Sequence, residues 1–166
     1  MVFQTERLTL SEFSTSDASF FYELVNDPAW IKYIGDRNVN THFQAQIYLE
    51  EKIIPSYQKF GFGFYVVRLK NEKIAIGMCG LIKRDWMEFV EIGYGFLPGF
   101  RGKGYAFEAG IATMKYAKEI HQIKKLAAIT STNNTNSSIL LERLGLHFDS
   151  LITYPGEEKK CKLYLE

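Results

Sequence analysis

The feature that most constrains the fold is a strand-like run followed directly by glycines and then by a helical pattern. Residues 89–97 read FVEIGYGFL, and residues 98–104 (PGFRGKG) contain three glycines. Small and apolar residues then recur at helical spacing through 106–120, and KKLAAITS at 124–131 has the composition of another strand. Strands joined by a crossover helix are parallel. The segment therefore predicts a β-α-β unit.

The other strand patterns lie before and after this unit. They are RLTLSEF at 7–13, GFYVVRL at 63–69, KIAIGMCGLI at 73–82, HFDSLITY at 147–154 and KKCKLYL at 159–165. The short turn KNEK joins the second and third patterns into a hairpin, which FVEIGYGFL extends into a meander. A turn at Pro155-Gly156 joins the last two patterns into a closing hairpin.

Four segments predict helices. The first opens at the cluster STSD and runs from about Ser16 to Asn26, with Pro28 closing it. The second begins at Thr41, which has capping-box spacing to Gln44, and runs to about Lys59 with a kink or break at Pro55. The third is the crossover helix, and the fourth is NSSILLERLG. The fold class is thus α/β: a mixed, mostly antiparallel sheet of about seven strands, helices on both faces, and strands four and five parallel.

Composition narrows the class of protein further. With 166 residues, of which 46% are hydrophobic, we expect a single domain spanning 1–166. A net charge of +1 gives no overall field for nucleic acid or an anionic membrane, and no stretch is apolar enough to span a bilayer, so we expect a cytoplasmic protein. Cys79 and Cys161 form no CxxC pair and have no histidine at ligand spacing, so no metal site is predicted.

The glycine segment has the character of an anion-binding loop. A helix N-terminus leaves its first N–H groups free and carries partial positive charge, and Gly102 and Gly104 let that backbone approach a phosphate closely. Arg101 and Lys103 add two cations. The alternative is a tight strand-to-helix turn. Neither nucleotide motif fits, because Lys103 is followed by Gly104 where a P-loop needs Ser or Thr, and Phe107 replaces the third glycine of GxGxxG.

The pattern that does fit is [Q/R]xxGx[G/A], read at Arg101, Gly104 and Ala106 after a strand and at the start of a helix. Together with TERLTL, EIGYGFLPGFRGKGYAFEA and NTNSSILLERLGLHF, it resembles the GNAT superfamily of N-acetyltransferases. The resemblance covers almost the whole chain. It is strongest to the branch that includes the ribosomal-protein N-terminal (alanine/serine) acetyltransferases.

The resemblance implies acetyl-CoA as co-substrate and no metal. In this superfamily strands four and five splay apart, and the pantetheine arm pairs with the backbone of strand four, much as a partner strand would. The late motif implies further cofactor contacts from Asn134 and Ser137. The implied cofactor-binding residues are Ile92, Gly93, Tyr94, Gly95, Phe96, Arg101, Gly102, Lys103, Gly104, Tyr105, Ala106, Asn134 and Ser137.

Catalytic candidates follow from the needs of acetyl transfer to an amine. Glu91 is the candidate base, since alternation places it on the face of Gly93 and Gly95, a face the two glycines would keep free of side chains. The alternatives are a solvated strand glutamate and an ion-pair partner. Many superfamily members carry a tyrosine that acts as general acid at the position where this chain has Leu141. Ser137 and Ser138 are then the candidates to hydrogen-bond the sulfur, with helix capping as the alternative.

The acceptor side is expected from the first two helices and the closing hairpin, and the candidate contacts are Trp30, Tyr33, Asp36 and Arg37. A packing role is the alternative for Trp30. The expected reaction is direct transfer in a ternary complex to a protein N-terminus or a small amine. The alternatives are a non-catalytic acetyl-CoA binding or sensing module and a purely structural domain. A homodimer is a further expectation, through the edge of the closing hairpin with its apolar residues 163–165.

Overall fold

Eight strands form one mixed sheet in the computed structural model, which describes residues 2–166. They are β1 Phe3–Gln4, β2 Leu8–Glu12, β3 Phe64–Leu69, β4 Ala75–Ile82, β5 Val90–Phe96, β6 Leu126–Ser131, β7 His147–Thr153 and β8 Lys160–Leu165. Their order across the sheet is β1-β2-β3-β4-β5-β6-β8-β7. Seven are the predicted strands, and the additional one is the two-residue β1, which pairs with β2.

Six α-helices lie among the described residues. They are α1 Ala18–Val25, α2 Pro28–Tyr33, α3 His42–Tyr48, α4 Pro55–Phe60, α5 Tyr105–Glu119 and α6 Thr135–Arg143. A π-helical segment, Leu49–Ile53, joins α3 to α4. The crossover helix α5 and the last helix α6 lie where the sequence predicts them.

The predicted second helix, 41–59, is divided into three pieces. Thr41 caps α3 as predicted, because its hydroxyl accepts a hydrogen bond from the N–H of Gln44 at 3.1 Å. The π-helical segment follows, and α4 begins at Pro55. A proline in the first turn of a helix removes no intrahelical hydrogen bond. Pro55 therefore marks a break between two helical segments.

Helix α2 was not predicted from the sequence. The predicted first helix is observed as a 3₁₀ turn, Thr15–Asp17, followed by α1. Pro28, which was expected only to close that helix, instead begins α2. The carboxylate of Asp27 caps the new helix by accepting hydrogen bonds from the N–H groups of Ala29 at 3.0 Å and Trp30 at 3.1 Å. This cap makes a six-residue helix possible directly after α1.

Helices cover both faces of the sheet, as predicted. Buried side chains on the side of α1, α2 and α3 include Phe21, Leu24, Trp30, Leu49, Val66 and Met78. Buried side chains on the side of α5 and α6 include Ile92, Met114, Ala117, Leu126 and Leu141. The sheet is therefore the middle layer of three, with β5 near its centre.

Strands β5 and β6 are parallel and diverge, which confirms the predicted fourth and fifth strands. Their pairing is confined to Val90 with Leu126 and Glu91 with Ala127. Beyond these pairs β5 continues to Phe96 and β6 to Ser131 without further pairing between them. We call this opening the splay. One edge of β5, from Ile92 onward, therefore faces open space in the middle of the sheet.

The last strand of the closing hairpin was expected at the edge of the sheet, but it does not lie there. The edge strand is β7, and β8 lies between β6 and β7. Strand β8 pairs with β6 from Ala127–Leu165 to Ser131–Cys161, and β7 pairs with its other side. The apolar residues 163–165 therefore lie on an interior strand, and the expectation that they form a free edge is wrong. The last strand takes this place by pairing with the edge of β6 that faces away from β5.

The sheet packs tightly against Trp30 at Gly95. An added Cβ at Gly95 would lie 2.5 Å from Cζ3 of Trp30, whereas a Cβ at Gly99 would have no atom within 4 Å. We predict that Gly95→Ala lowers the free energy of unfolding by about 1–3 kcal/mol through overpacking. Urea denaturation measures this change. Gly99→Ala is the matched control, and an equal effect of both substitutions would contradict the packing described.

Candidate active site

A glycine-bounded turn connects β5 to α5. Gly102 and Gly104 have φ of +73° and +81°, the left-handed region that glycine adopts most easily. Gly104 is the N-cap of α5 and offers no side chain to cap it. The first-turn N–H groups of α5 therefore find no partner among residues 2–166. This uncapped N-terminus, with residues 101–104, is called the phosphate loop below.

Arg101 holds the phosphate loop in place through contacts with other parts of the chain. Its Nε donates to the carbonyl of Phe96 at 2.8 Å, and its Nη2 forms an ion pair with Asp27. Burial raises the pKa of Asp27, but the hydrogen bonds from Arg101, Trp30 and Ala29 outweigh burial and hold the pKa below its usual value. The guanidinium is thus already occupied within the chain. Arg101 therefore fixes the shape of the loop. The expectation that Arg101 and Lys103 both add a cation for a bound anion needs revision, because Arg101 already pairs with Asp27.

A second arginine stands beside the phosphate loop and was missed by sequence reasoning. Arg7 donates from Nη1 to the carbonyl of Lys103 at 3.1 Å, and its Nε forms an ion pair with Glu108 at 2.6 Å. The Thr5 hydroxyl also bonds Glu108. The side chain of Arg7 remains 44% exposed. The segment TERLTL, noted only as part of a resemblance, is therefore the signal that could have revealed this cation.

Strand β5 presents two different faces at the splay. Its register with β4 is continuous from Ile82–Glu91 to Gly77–Phe96, so the alternation that places Glu91 with the two glycines is unbroken. The two glycines were expected to leave that face open, and the structure contradicts this expectation. The ring of Trp30 covers Gly95, and the ring of Phe64 lies 3.0 Å from a Cβ built at Gly93. The bare backbone therefore accommodates aromatic rings.

A tyrosine of β5 reaches α6 across the splay. The hydroxyl of Tyr94 lies 3.0 Å from Oγ of Ser137 and 3.3 Å from its carbonyl oxygen. Burial raises the pKa of Tyr94, so this hydroxyl stays protonated at neutral pH. Leu141, at the position where many relatives carry tyrosine, is buried. The chain thus has a phenol near Ser137, but from a strand instead of a helix.

The other residues of the late motif cap α6 or lie beneath it. The side chain of Asn134 accepts a hydrogen bond from the N–H of Ser137 at 3.2 Å, so the cap of α6 is Asn134, whereas capping was the alternative predicted for Ser137 and Ser138. Ser138 is 7% exposed. No atom in residues 2–166 forms a hydrogen bond with its Oγ. A buried hydroxyl without a partner is costly, and Ser138 stays a candidate, not a demonstrated contact, for a bound molecule.

Glu91 lies buried at the closed end of the splay, 4% exposed. Burial raises the pKa of its carboxyl, while an ion pair with Nε of Arg84 and the charge of Arg37 oppose that increase in part. Glu91 also raises the pKa of the Arg84 guanidinium above what burial alone would give. The predicted ion-pair alternative is therefore the observed state of Glu91. It does not stand as a free carboxylate.

The phosphate loop follows β5, the strand that borders the splay, and the late motif meets that strand where Ser137 contacts Tyr94. The family described as "Acetyltransferase (GNAT) domain" matches residues 7–147. This chain belongs to the GNAT family. It is an N-acetyltransferase of that family, whose members use acetyl-CoA. The uncharacterized N-acetyltransferase YnaD of Bacillus subtilis is 28% identical over 157 residues, covering 95% of this chain and 85% of YnaD.

Solved GNAT structures share the whole fold. The ribosomal L7/L12 alpha-N-protein acetyltransferase RimL, in complex with coenzyme A, superposes with a TM-score of 0.84 at 17% identity, covering 99% of this chain and 96% of RimL. The spermidine N-acetyltransferase of Vibrio cholerae, in complex with CoA and spermine, gives a TM-score of 0.79 at 18% identity, covering 98% and 96% of the two chains. At these identities the likeness establishes the fold alone.

The GNAT chain has features that fit acetyl-CoA. The uncapped N-terminus of α5 fits a diphosphate, the open edge of β5 fits the two amides of a pantetheine arm, and Ser138 offers a buried hydroxyl without a partner. Within residues 2–166 no helix has both the length and the apolar character needed to cross a membrane. In the same residues no three His, Cys, Asp or Glu side chains are placed to share a metal ion.

The predicted acceptor residues are scattered by the fold. Trp30 is buried beneath Gly95, and Tyr33 contacts the ammonium of Lys32. Asp36 accepts a hydrogen bond from the N–H of Asn38 at 2.7 Å. Of the four candidates, Arg37 alone influences the pKa of Glu91. It lines a shallow cavity of about 180 Å³ together with Tyr48.

The phosphate loop can be tested at Gly104. A valine there would be strained at φ +81°, and its Cβ would lie 3.3 Å from Nη2 of Arg7. We predict that Gly104→Val weakens acetyl-CoA binding at least about tenfold, because the loop backbone must shift from its phosphate-binding position. Calorimetric titration measures the dissociation constant.

The matched control for this substitution is Gly156→Val. Gly156 has the same φ, +81°, but lies in the closing hairpin turn with no atom within 4 Å of its built Cβ. Both variants carry similar backbone strain, on the order of 1–2 kcal/mol. Equal acetyl-CoA affinity in the two variants would contradict a phosphate site at Gly104.

Proposed function

We propose that this GNAT enzyme transfers the acetyl group directly from acetyl-CoA to a primary amine in a ternary complex, the acceptor being a protein N-terminus or a small amine. The observation that carries the proposal is the splay of β5 and β6 beside the uncapped N-terminus of α5. An edge of free backbone groups in the interior of a sheet needs a partner. The pantetheine arm supplies one.

In this proposal the cofactor contacts come from consecutive parts of one unit. Backbone groups of residues 92–96 hold the pantetheine, and the N–H groups of residues 102–106 hold the diphosphate. Arg101 fixes the loop through Asp27, Arg7 contacts the carbonyl of Lys103 while paired with Glu108, and Lys103 adds positive charge. Asn134 positions the first turn of α6, from which Ser137 and Ser138 face the thioester region.

Acetyl-CoA supplies an activated acetyl thioester, from which the acetyl carbon passes to the amine nitrogen as the C–S bond breaks. An ammonium must lose a proton before it can attack. We assign that role to Glu91, directly or through water, with Arg84 orienting its carboxylate. Burial raises the pKa of Glu91, which favours its taking up a proton, and the ion pair with Arg84 offsets only part of that increase.

The leaving thiolate needs a hydrogen-bond donor, and the hydroxyls of Tyr94 and Ser137 are the candidates. Their contact at 3.0 Å lets the protonated phenol and the serine act as one unit. Ser138 supplies a further hydroxyl. The absent helix tyrosine at Leu141 favours a second candidate function, a non-catalytic acetyl-CoA binding module. The tests below separate the two.

The acceptor class is tested by incubating the protein with acetyl-labelled CoA and a size-fractionated cell extract. We expect label to leave CoA and enter either polypeptides or small amines, and the labelled fraction identifies the class. Gly104→Val serves as the background control. Tight acetyl-CoA binding without label transfer to any fraction would refute the enzyme and favour the binding module.

The proton-donor assignment is tested with Tyr94→Phe. We predict a fall in kcat of about tenfold or more, because the departing sulfur loses a positioned donor, with acetyl-CoA affinity almost unchanged. Steady-state kinetics and calorimetry separate the two quantities. Tyr22→Phe is the matched control, since the Tyr22 ring packs on His42 away from the splay. An unchanged kcat in Tyr94→Phe would remove this residue from the mechanism.

A further inference from the structure

Positive charge is concentrated at the closed end of the splay, where Glu91 lies. This is the end at which the proposed function places the acceptor amine, and it is called the acceptor end below. Arg84 and Arg37 both act on Glu91, and Glu91 is the carboxylate that pairs with Arg84. Arg37 forms no hydrogen bond or ion pair with any of residues 2–166. Glu51 and Lys52, on the wall of the cavity beside Arg37, offset one another. Arg37 is therefore a guanidinium that lies close enough to act on Glu91 and that pairs with no carboxylate of the described residues.

The Arg84 guanidinium is held with its outer edge free. Its Nε is committed to Glu91, whereas no oxygen in the described chain accepts a hydrogen bond from Nη1 or Nη2. Its Cζ lies 5.0 Å from the ring centre of Tyr154 and 5.9 Å from that of Trp86. These two rings meet edge to face, with centres 5.5 Å apart. An arginine fixed on one side by a carboxylate and flanked by aromatic rings presents two parallel donors, the geometry that matches a carboxylate.

The side chains around this guanidinium come from the three parts of the chain that surround the acceptor end. Trp86 lies in the connection from β4 to β5, Tyr154 follows β7, and Arg37 follows α2. Arg84 is 26% exposed and Trp86 is 41% exposed. The site therefore opens to solvent, as the free end of a longer chain requires.

The pKa of the acceptor amine also matters. An alkylammonium has a pKa near that of lysine, about 10.4, so very little of it is neutral at neutral pH. A peptide α-amine has a pKa of about 7.7–8.0, so a substantial fraction is neutral without help. The unpaired guanidinium of Arg37 disfavours a polycationic acceptor such as a polyamine.

We infer that the acceptor is the N-terminal α-amine of a peptide that carries a carboxylate side chain at its first or second position, bound by Arg84 and Arg37. The inference rests on the proposed function and narrows its acceptor. Arg84 binds the carboxylate between Tyr154 and Trp86, and the amine is thereby directed toward Glu91. Arg37 adds attraction from the opposite wall.

The test uses the purified full chain, acetyl-CoA and synthetic hexapeptides with free N-termini, followed by thiol release and mass spectrometry. The peptides form pairs that differ only by Asp or Asn at the first position, or by Glu or Gln at the second. We expect kcat/KM to be at least about tenfold higher for the acidic member, as for a charge-assisted hydrogen-bond pair. Free aspartate and spermidine complete the set of acceptors.

Two substitutions examine the arginines. Arg84→Lys keeps the charge beside Glu91 but removes the planar fork, so the acidic preference should fall at least about threefold. Arg37→Gln removes an exposed side chain without a partner, so it leaves no buried charge uncompensated and should also lower the preference. Lys115→Gln removes the same charge from a residue whose side chain is 70% exposed on α5 and should leave the preference as it is.

Each result decides the inference. Equal rates within the peptide pairs, or faster acetylation of free aspartate or spermidine than of the acidic peptides, would overturn it while leaving the enzyme function intact. Absence of peptide acetylation would also overturn it, and the extract experiment then shows whether any amine is an acceptor. A preference that survives in both Arg84→Lys and Arg37→Gln would refute the assignment of these residues.

Discussion

The divergence of β5 and β6 after two paired residues is the constraint on which the rest of the structure depends. Hydrogen-bonding groups inside a sheet are normally paired with a neighbouring strand. Here the helix α5 carries the chain to the far side of the opening, and β8 satisfies the other edge of β6. The edge of β5 has no strand partner from Ile92 onward, and its Phe96 carbonyl accepts a hydrogen bond from Arg101. The phosphate loop follows directly from the end of the same strand. A cofactor site therefore arises from backbone geometry before any side chain contributes to it.

Ion pairs between distant parts of the chain hold this backbone site in place. Arg101 connects the phosphate loop to Asp27 at the start of α2, and Glu108 connects the first turn of α5 to Thr5 and Arg7 before β2. Both carboxylates have a pKa below the usual value, because the hydrogen bonds they accept outweigh the effect of burial. Their contribution to stability is therefore present above the pKa that they have in the unfolded chain and is lost as the pH falls through the lower pKa of the folded protein.

The sequence was most informative where a local pattern determines the structure. The glycine segment, the crossover helix and the parallel strand pair follow from chain order and backbone preference, and Thr41 caps α3 as its spacing indicates. Contacts between distant residues were not predictable. Arg101 with Asp27, Arg84 with Glu91 and Tyr94 with Ser137 depend on packing that no local pattern specifies. The missed helix α2 is different, since an aspartate before a proline is a readable helix start.

Hydrogen–deuterium exchange of the protein with and without acetyl-CoA tests the central claim most directly, because it reports on the backbone groups themselves. We predict that acetyl-CoA slows exchange in two segments, residues 92–96 of β5 and residues 101–107 at the start of α5, and leaves the closing hairpin turn near Gly156 unchanged. Protection confined to other segments, or no protection at saturating acetyl-CoA, would contradict a cofactor site built from the splay and the phosphate loop.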